Sequence, residues 1–432
     1  MMLLLLVSCL MAQDTPAAVA GNGGLSYVRL DITAQRRKGK VVSDLTQDDF
    51  VVKDGKNKVE VVFFDLLDYR DIANCVPSPR GTDTAEPVPV VLALDLAGIS
   101  PSMVSQTFEQ LYDFFAKLDA GRHRFYLTDL GNGPLSEGFL PSPTAALAVL
   151  RAYETRLYKS MGLLGQDGLP LREQFAAADE TYLLGVRGLR ELVLEFEDCV
   201  KEHHNVPPLA FGCMNEGVGS FLSEERDRAE VGRIQLAQLV GGLDDSEQLK
   251  LVFLISPGFN IGGFQSLDEL RRIYRRLVTS MRSNSRQGQD RYFRPGEAEA
   301  LGASPELMAS FQGVIHGCMQ RRVLVHGFDI YKRNRRPKKG VQAMLSDRLF
   351  KTYMRESADA LEILAQSTGG RFVTGQPLVG PMLDVINKDS LYYVLGYQVP
   401  ADAGVGFRQI EVKCKRRGVK LHYRRGYFSG GQ

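Results

Sequence analysis

Hydrophobic positions along the chain repeat with two different periods, and the changes of period divide it. Val28, Leu30 and Ile32 alternate with Tyr27, Arg29, Asp31 and Thr33, the pattern of a strand with one buried face. Asp49 to Lys53 and Lys58 to Phe64 flank Asp54-Gly55, which predicts a hairpin whose glycine takes the positive φ of the turn. A small β unit is therefore expected over about 26–68. Val88 to Leu94 (VPVVLAL) is then apolar without a break, as a strand covered on both faces in a parallel sheet must be. Met103 to Leu118 follows with helical spacing through Phe108, Leu111, Phe114, Phe115 and Leu118.

The alternation of strand and helix continues. A strand is expected at Phe125-Tyr126-Leu127 and a helix at Thr144 to Tyr153. Long helical patterns fill 171–202 and 220–241, and Lys250 to Ile255 is another buried strand. Helices at 267–280 and 305–320, a strand at Arg322 to Ile330 and a helix at 353–366 stopped by Gly369-Gly370 complete the series, with an Arg-rich insertion at 282–303. Strands alternating with helices predict an α/β domain with a mostly parallel central sheet. The period then returns to two. Leu391 to Val399, Gln409 to Cys414 and Val419 to Tyr427 read as strands, with Lys415-Arg416-Arg417-Gly418 as a turn. These few strands need a further layer against which to bury their apolar face. They are expected to pack with the N-terminal β unit, giving a smaller β-sandwich-like unit built from both chain ends.

Composition changes this picture little. The chain has 432 residues, 44% of them hydrophobic and 24% charged, which excludes a mainly disordered, collagen-like or multi-span membrane protein. The formal net charge of +2 gives no reason to expect a nucleic-acid partner. The first residues matter more. Met1 to Ala12 carries an apolar run too short to span a bilayer, and it fits the apolar part of a secretory signal over residues 1–20. Leu6-Val7-Ser8-Cys9 is similar to a lipobox, so membrane anchoring is expected only if Cys9 is lipidated. The expected locations are the periplasm, the cell surface or the medium. Cys199 and Cys213 are close enough in sequence for one bridge in an oxidising compartment, buried thiols being the other reading.

Three stretches carry a family resemblance. They are Val28-Arg29-Leu30-Asp31-Ile32 through Leu45-Thr46-Gln47-Asp48-Asp49-Phe50 and Asp54-Gly55-Lys56; Leu361-Glu362-Ile363-Leu364-Ala365 with Thr368-Gly369-Gly370-Arg371-Phe372; and Ser390-Leu391-Tyr392-Tyr393-Val394-Leu395-Gly396-Tyr397, closed by Arg424-Arg425-Gly426-Tyr427-Phe428. The chain resembles bacterial exported proteins with a von Willebrand factor A-related (VWFA) domain. The resemblance implies a Rossmann-like sheet over 88–388, flanked by the β unit and linker at 21–87 and by the C-terminal strands at 389–428. It also implies a ligand face at the carboxyl ends of the strands, with candidates Asp95, Ser100, Ser102, Asp129, Thr181, Ser256 and Asp329.

Metal-binding members of that family follow the first strand with Asp-x-Ser-x-Ser, whose oxygens suit a hard divalent cation. Here Asp95 is in place, but Ala97 and Ile99 stand at the serine positions, with Ser100 and Ser102 displaced. Ser256-Pro257-Gly258 stands where metal-binding members often have Ser-Asp-Gly. A degenerate site without cofactor is expected, the alternative being Mg²⁺ or Ca²⁺ held by Asp95, Ser100 or Ser102, and Asp329 or Asp129.

A basic rim follows the strand ending at Asp329: Lys332, Arg333, Arg335, Arg336, Lys338 and Lys339, suited to an acidic partner or a phospholipid surface, a solvated loop being the other reading. Cys199, His203, His204 and Cys213 have zinc-binding residue types in a spacing that matches no standard knuckle. Gly131-Asn132-Gly133-Pro134 lacks the third glycine of a dinucleotide loop, and no nucleophile elbow, Walker loop or zincin motif occurs. A non-catalytic protein-interaction module is therefore expected. A hydrolase would have to use Ser100 near Asp95 and Asp329.

Overall fold

The computed structural model describes residues 27–36, 39–68, 87–96, 99–179, 187–203, 206–244, 248–260, 266–267, 270, 272, 305–330, 347–375, 377–389, 391–399 and 406–429. At its centre lies a six-stranded, mostly parallel sheet. Its strands are β5 (Val88–Leu94), β6 (His123–Asp129), β7 (Gly133–Pro134), β8 (Lys250–Ser256), β9 (Val323–Asp329) and β10 (Phe372–Thr374). They run in the order β7-β6-β5-β8-β9-β10, and only β7 is antiparallel to its neighbour.

The unbroken apolar runs of β5, β8 and β9 exist because both faces of this sheet are covered. Val90, Leu92 and Leu94 enter one core, together with Phe253 and helices α1 (Pro101–Ala116), α2 (Pro143–Ser160) and α4 (Arg187–His203). Val91 and Ala93 enter the other core, with Leu254, Val325 and helices α6 (Pro305–Gln320) and α7 (Asp347–Thr368). The 36-residue helix α5 (Pro207–Gly242) serves both. Its first half puts Phe211, Met214 and Leu222 into the first core, and its second half puts Ala229, Leu236 and Val240 into the second.

Strands from both chain ends form two four-stranded sheets around a third core. One has the order β13-β1-β11-β4 and the other β14-β12-β2-β3. Here β1 is Tyr27–Arg36, β2 Phe50–Asp54, β3 Asn57–Val59, β4 Val61–Asp68, β11 Leu391–Gln398, β12 Gly406–Cys414, β13 Val419–His422 and β14 Gly426–Ser429. All their pairings are antiparallel. Strand β11 joins this unit to the rest. Leu391, Tyr393, Leu395 and Tyr397 line the third core, while Tyr392 and Val394 point into the first core with helix α8 (Val379–Asp389).

Three arginines fasten β1, Arg322 and Arg371 from the α/β unit across the same junction and Arg424 from within the two-sheet unit. Arg322 holds Asp31 by Nε and Nη2 (3.2 and 2.7 Å), Arg371 donates to Gln35 Oε1 (3.3 Å), and Arg424 donates to the Arg29 carbonyl (2.6 Å). These contacts use alternate residues of β1. Between them, Leu30, Ile32 and Ala34 fill the third core.

Several elements differ from the sequence reading. The stretch 171–202 does not begin as α-helix. A 3-10 turn (Arg172–Gln174) and the short helix α3 (Phe175–Asp179) precede α4. The helix expected over 220–241 begins at Pro207, where a proline costs no hydrogen bond because the first amides are unpaired anyway. Val419 to Tyr427 is two strands: the chain leaves β13 beside β1 and crosses to β14 beside β12. The helix expected at 267–280 and the insertion at 282–303 lie largely or wholly outside the described residues, as do the signal-like residues 1–20 with Cys9.

Candidate ligand face at the strand ends

The central sheet runs outward in both directions from β5, to β6 on one side and β8 on the other. A crevice is expected where such an order reverses, at the carboxyl ends of the strands. Asp95 lies there, one residue beyond β5. Asp129 ends β6, Ser256 ends β8 and Asp329 ends β9, with Leu94 in register with Asp129 and Ser256 with Asp329. The sequence therefore brings these four candidates to one edge, and all four are buried.

Their partners separate them chemically. The Asp95 amide donates to the Ile255 carbonyl (2.9 Å), and its carboxylate accepts a 2.6 Å hydrogen bond from Ser256 Oγ. Ser256 Oγ in turn accepts from the Gly258 amide (2.8 Å). Gly258 has φ +85°, and a Cβ there would collide with the Ser357 carbonyl of α7, so the close packing of this loop requires glycine. Burial pushes the Asp95 carboxyl above its ordinary pKa. The positive charge of Arg228 and the Ser256 hydrogen bond oppose that rise, and the charge of Asp129 adds to it.

Arg228 and Glu225 come from α5, at the stretch where that helix passes from one face of the sheet to the other. Arg228 lies 3.5 Å from Glu225 and donates to the Gly258 carbonyl. Glu225 is also approached by the Tyr353 hydroxyl of α7 at 3.5 Å. Burial raises the Glu225 pKa, and Arg228 again works against it. One guanidinium thus serves two buried carboxyls and the Ser256–Gly258 loop. Sequence reading missed Arg228, Glu225 and Tyr353. The available signal was the i, i+3 pair within Glu224-Glu225-Arg226-Asp227-Arg228, which reads like an ordinary solvated helix face.

Asp129 is occupied by its own turn. Its carboxylate accepts from the amides of Gly131 and Asn132 (2.6 and 3.1 Å), from Asn132 Nδ2 (2.9 Å) and from the Tyr153 hydroxyl. Ser100 is the N-cap of α1, with its carbonyl accepting from Met103 and Val104, and its buried hydroxyl has no hydrogen-bond partner among the described residues. The Ser102 amide donates to Asp179 Oδ1 (3.1 Å). Thr181, the basic rim from Lys332 to Lys339, Ala97 and His204 lie outside the described residues.

Two of the candidate carboxylates, Asp95 and Asp129, are engaged by groups of the chain itself. Asp95 already faces a hydroxyl donor and a guanidinium, Asp129 is consumed locally, and Ile99 offers no oxygen. Among the described residues no group of three or more His, Cys, Asp or Glu side chains could hold a metal. Cys199 and Cys213 form a disulfide between α4 and α5, which removes both from any zinc site. No family model, no curated protein and no solved structure matches this chain.

Proposed function

We propose that this chain is an exported, non-catalytic protein-interaction module. In this reading the α/β unit is a Rossmann-like von Willebrand factor A-type domain with a degenerate metal site, and the two-sheet unit orients it. The strand order β7-β6-β5-β8-β9-β10 supports the reading, since numbering those strands in chain order gives the doubly wound 3-2-1-4-5-6. The Cys199–Cys213 disulfide agrees with an oxidising compartment.

The observation that carries the proposal is the Ser256–Asp95 hydrogen bond beside Arg228. It engages the aspartate with groups of the chain itself, which oppose the effect of burial, and in this reading they stand where a bridging cation would. A hydrolase reading would need a base within reach of Ser100. Its buried hydroxyl has no such partner among the described residues.

The test is capture of envelope proteins on the immobilised chain. Wild type is compared with a variant in which Lys332, Arg333, Arg335 and Arg336 are all serine. The reading expects specific capture that persists in chelator, weakens with salt and falls in the variant. Capture that requires Mg²⁺ or Ca²⁺ would overturn it.

A further inference from the structure

Among the described residues six strands lie at sheet edges, and five are short. Strands β3, β7, β10, β13 and β14 have between two and four residues, and β3 and β13 also carry Lys58 and Lys420. Shortness and lysines are the usual protection against unwanted pairing at an edge. Strand β4 has neither. It is eight residues long, has β11 on one side and has no strand on the other among the described residues.

Its side chains are also unusual. The register shifts between Gly396 and Tyr397 of β11, leaving Val62 as an extra residue between Val61 and Phe63. Val62 and Phe63 are 56% and 51% exposed. Phe63 lies against Gly396, where a Cβ would approach the Phe63 Cβ to 3.0 Å. From Glu60 to Asp68 the sequence EVVFFDLLD has three acids and no base. Asp65 is exposed, and its carboxylate accepts from the Leu66 amide (2.8 Å).

We propose that β4 is a strand-addition site for an extended segment of a partner protein, one in which lysine or arginine alternates with apolar residues. Backbone hydrogen bonds along the open edge would supply affinity. The acidic side chains would select a basic occupant, and Val62 and Phe63 would meet its apolar positions. A second copy of β4 is a poorer occupant, because two such strands would bring acids together.

The probe is a short fluorescent peptide alternating lysine and valine, with a glutamate–valine peptide as control, titrated into the full chain. Saturable polarisation with the basic peptide alone is expected. It should weaken about tenfold or more in Asp65→Lys and in Phe63→Lys and fall with salt. Melting curves check that both variants are folded. Hydrogen exchange should show that the β4 amides facing away from β11 exchange readily in the free protein and slow when the basic peptide binds. The proposal is overturned by binding of both peptides or of neither, by binding indifferent to Asp65→Lys, or by outward-facing β4 amides already protected in the free chain. A concentration-dependent dimer lost in Phe63→Lys would assign the edge to a second copy instead.

Discussion

The most informative perturbation is acidification, read through His326. This histidine ends up fully buried in β9, with the Phe253 ring packed edge-on against it. Its Nδ1 accepts the Arg371 backbone amide (3.2 Å), which fixes the neutral tautomer with the proton on Nε2, 3.5 Å from Asp389. Asp389 is itself gripped by Arg371 through Nε and Nη2 (3.2 and 2.5 Å). Burial lowers the His326 pKa from 6.5 to about 4. Asp389 opposes the shift, and Arg371 and His422 add to it. A second proton would have to enter at Nδ1, against the Arg371 amide.

The folded state therefore binds fewer protons than the unfolded chain between those two values. Stability from this group is fully present above pH 6.5 and is lost as the pH falls toward 4. At pH 4.5 the loss amounts to ~2.5 kcal/mol. His326→Gln keeps an acceptor for the Arg371 amide without titrating. Urea unfolding of both proteins at pH 7.5 and 4.5 measures the difference. Wild type should lose ~2.5 kcal/mol more than the variant on acidification. Equal losses in the two proteins would refute the assignment, whatever His123, also lowered to about 4 by burial, contributes to both.

Other substitutions test the strand-end cluster and the disulfide. Arg228→Met should destabilise the fold by ~3 kcal/mol at pH 7, because Asp95 and Glu225 lose their counter-charge. Part of that loss should return on mild acidification, since both carboxyls then protonate more readily, and denaturant unfolding against pH reads both effects. Gly258→Ala should cost ~3 kcal/mol or prevent folding, given its positive φ and the Ser357 carbonyl against it, as thermal melts would show. Opening the Cys199–Cys213 disulfide with reductant, or in Cys199→Ser, should cost ~3 kcal/mol for the 14-residue separation it closes, measured by denaturation with and without reductant.

Strands β5, β8 and β9 were legible because burial on both faces forces near-continuous apolar runs, whereas the two- and three-residue strands β7 and β10 are too short to leave such a signal. Val88–Leu94 and Lys250–Ser256 stand where the pattern puts them. The pairing of the chain ends was legible from arithmetic of another kind: three C-terminal strands need partners, and β1 and β2 supply them. The break between β13 and β14 was not legible, since alternation through Leu421 and Tyr423 continues across the point where the chain changes sheets. At the strand ends, Asp95 and Ser256 could be placed because they follow strands directly. Arg228 could not be placed. Its role depends on a long helix crossing the end of the sheet, a tertiary fact that no local spacing in α5 encodes.

The central claim is that Asp95 is stabilised by the chain's own Ser256 and Arg228 and needs no cation. Calorimetric titration of the chelator-stripped chain with Mg²⁺, Mn²⁺ and Ca²⁺, with melts in parallel, tests it most directly. The account predicts no saturable heat and no melting shift with any of the three. A saturable heat with a raised melting temperature, both abolished in Asp95→Ala, would contradict it.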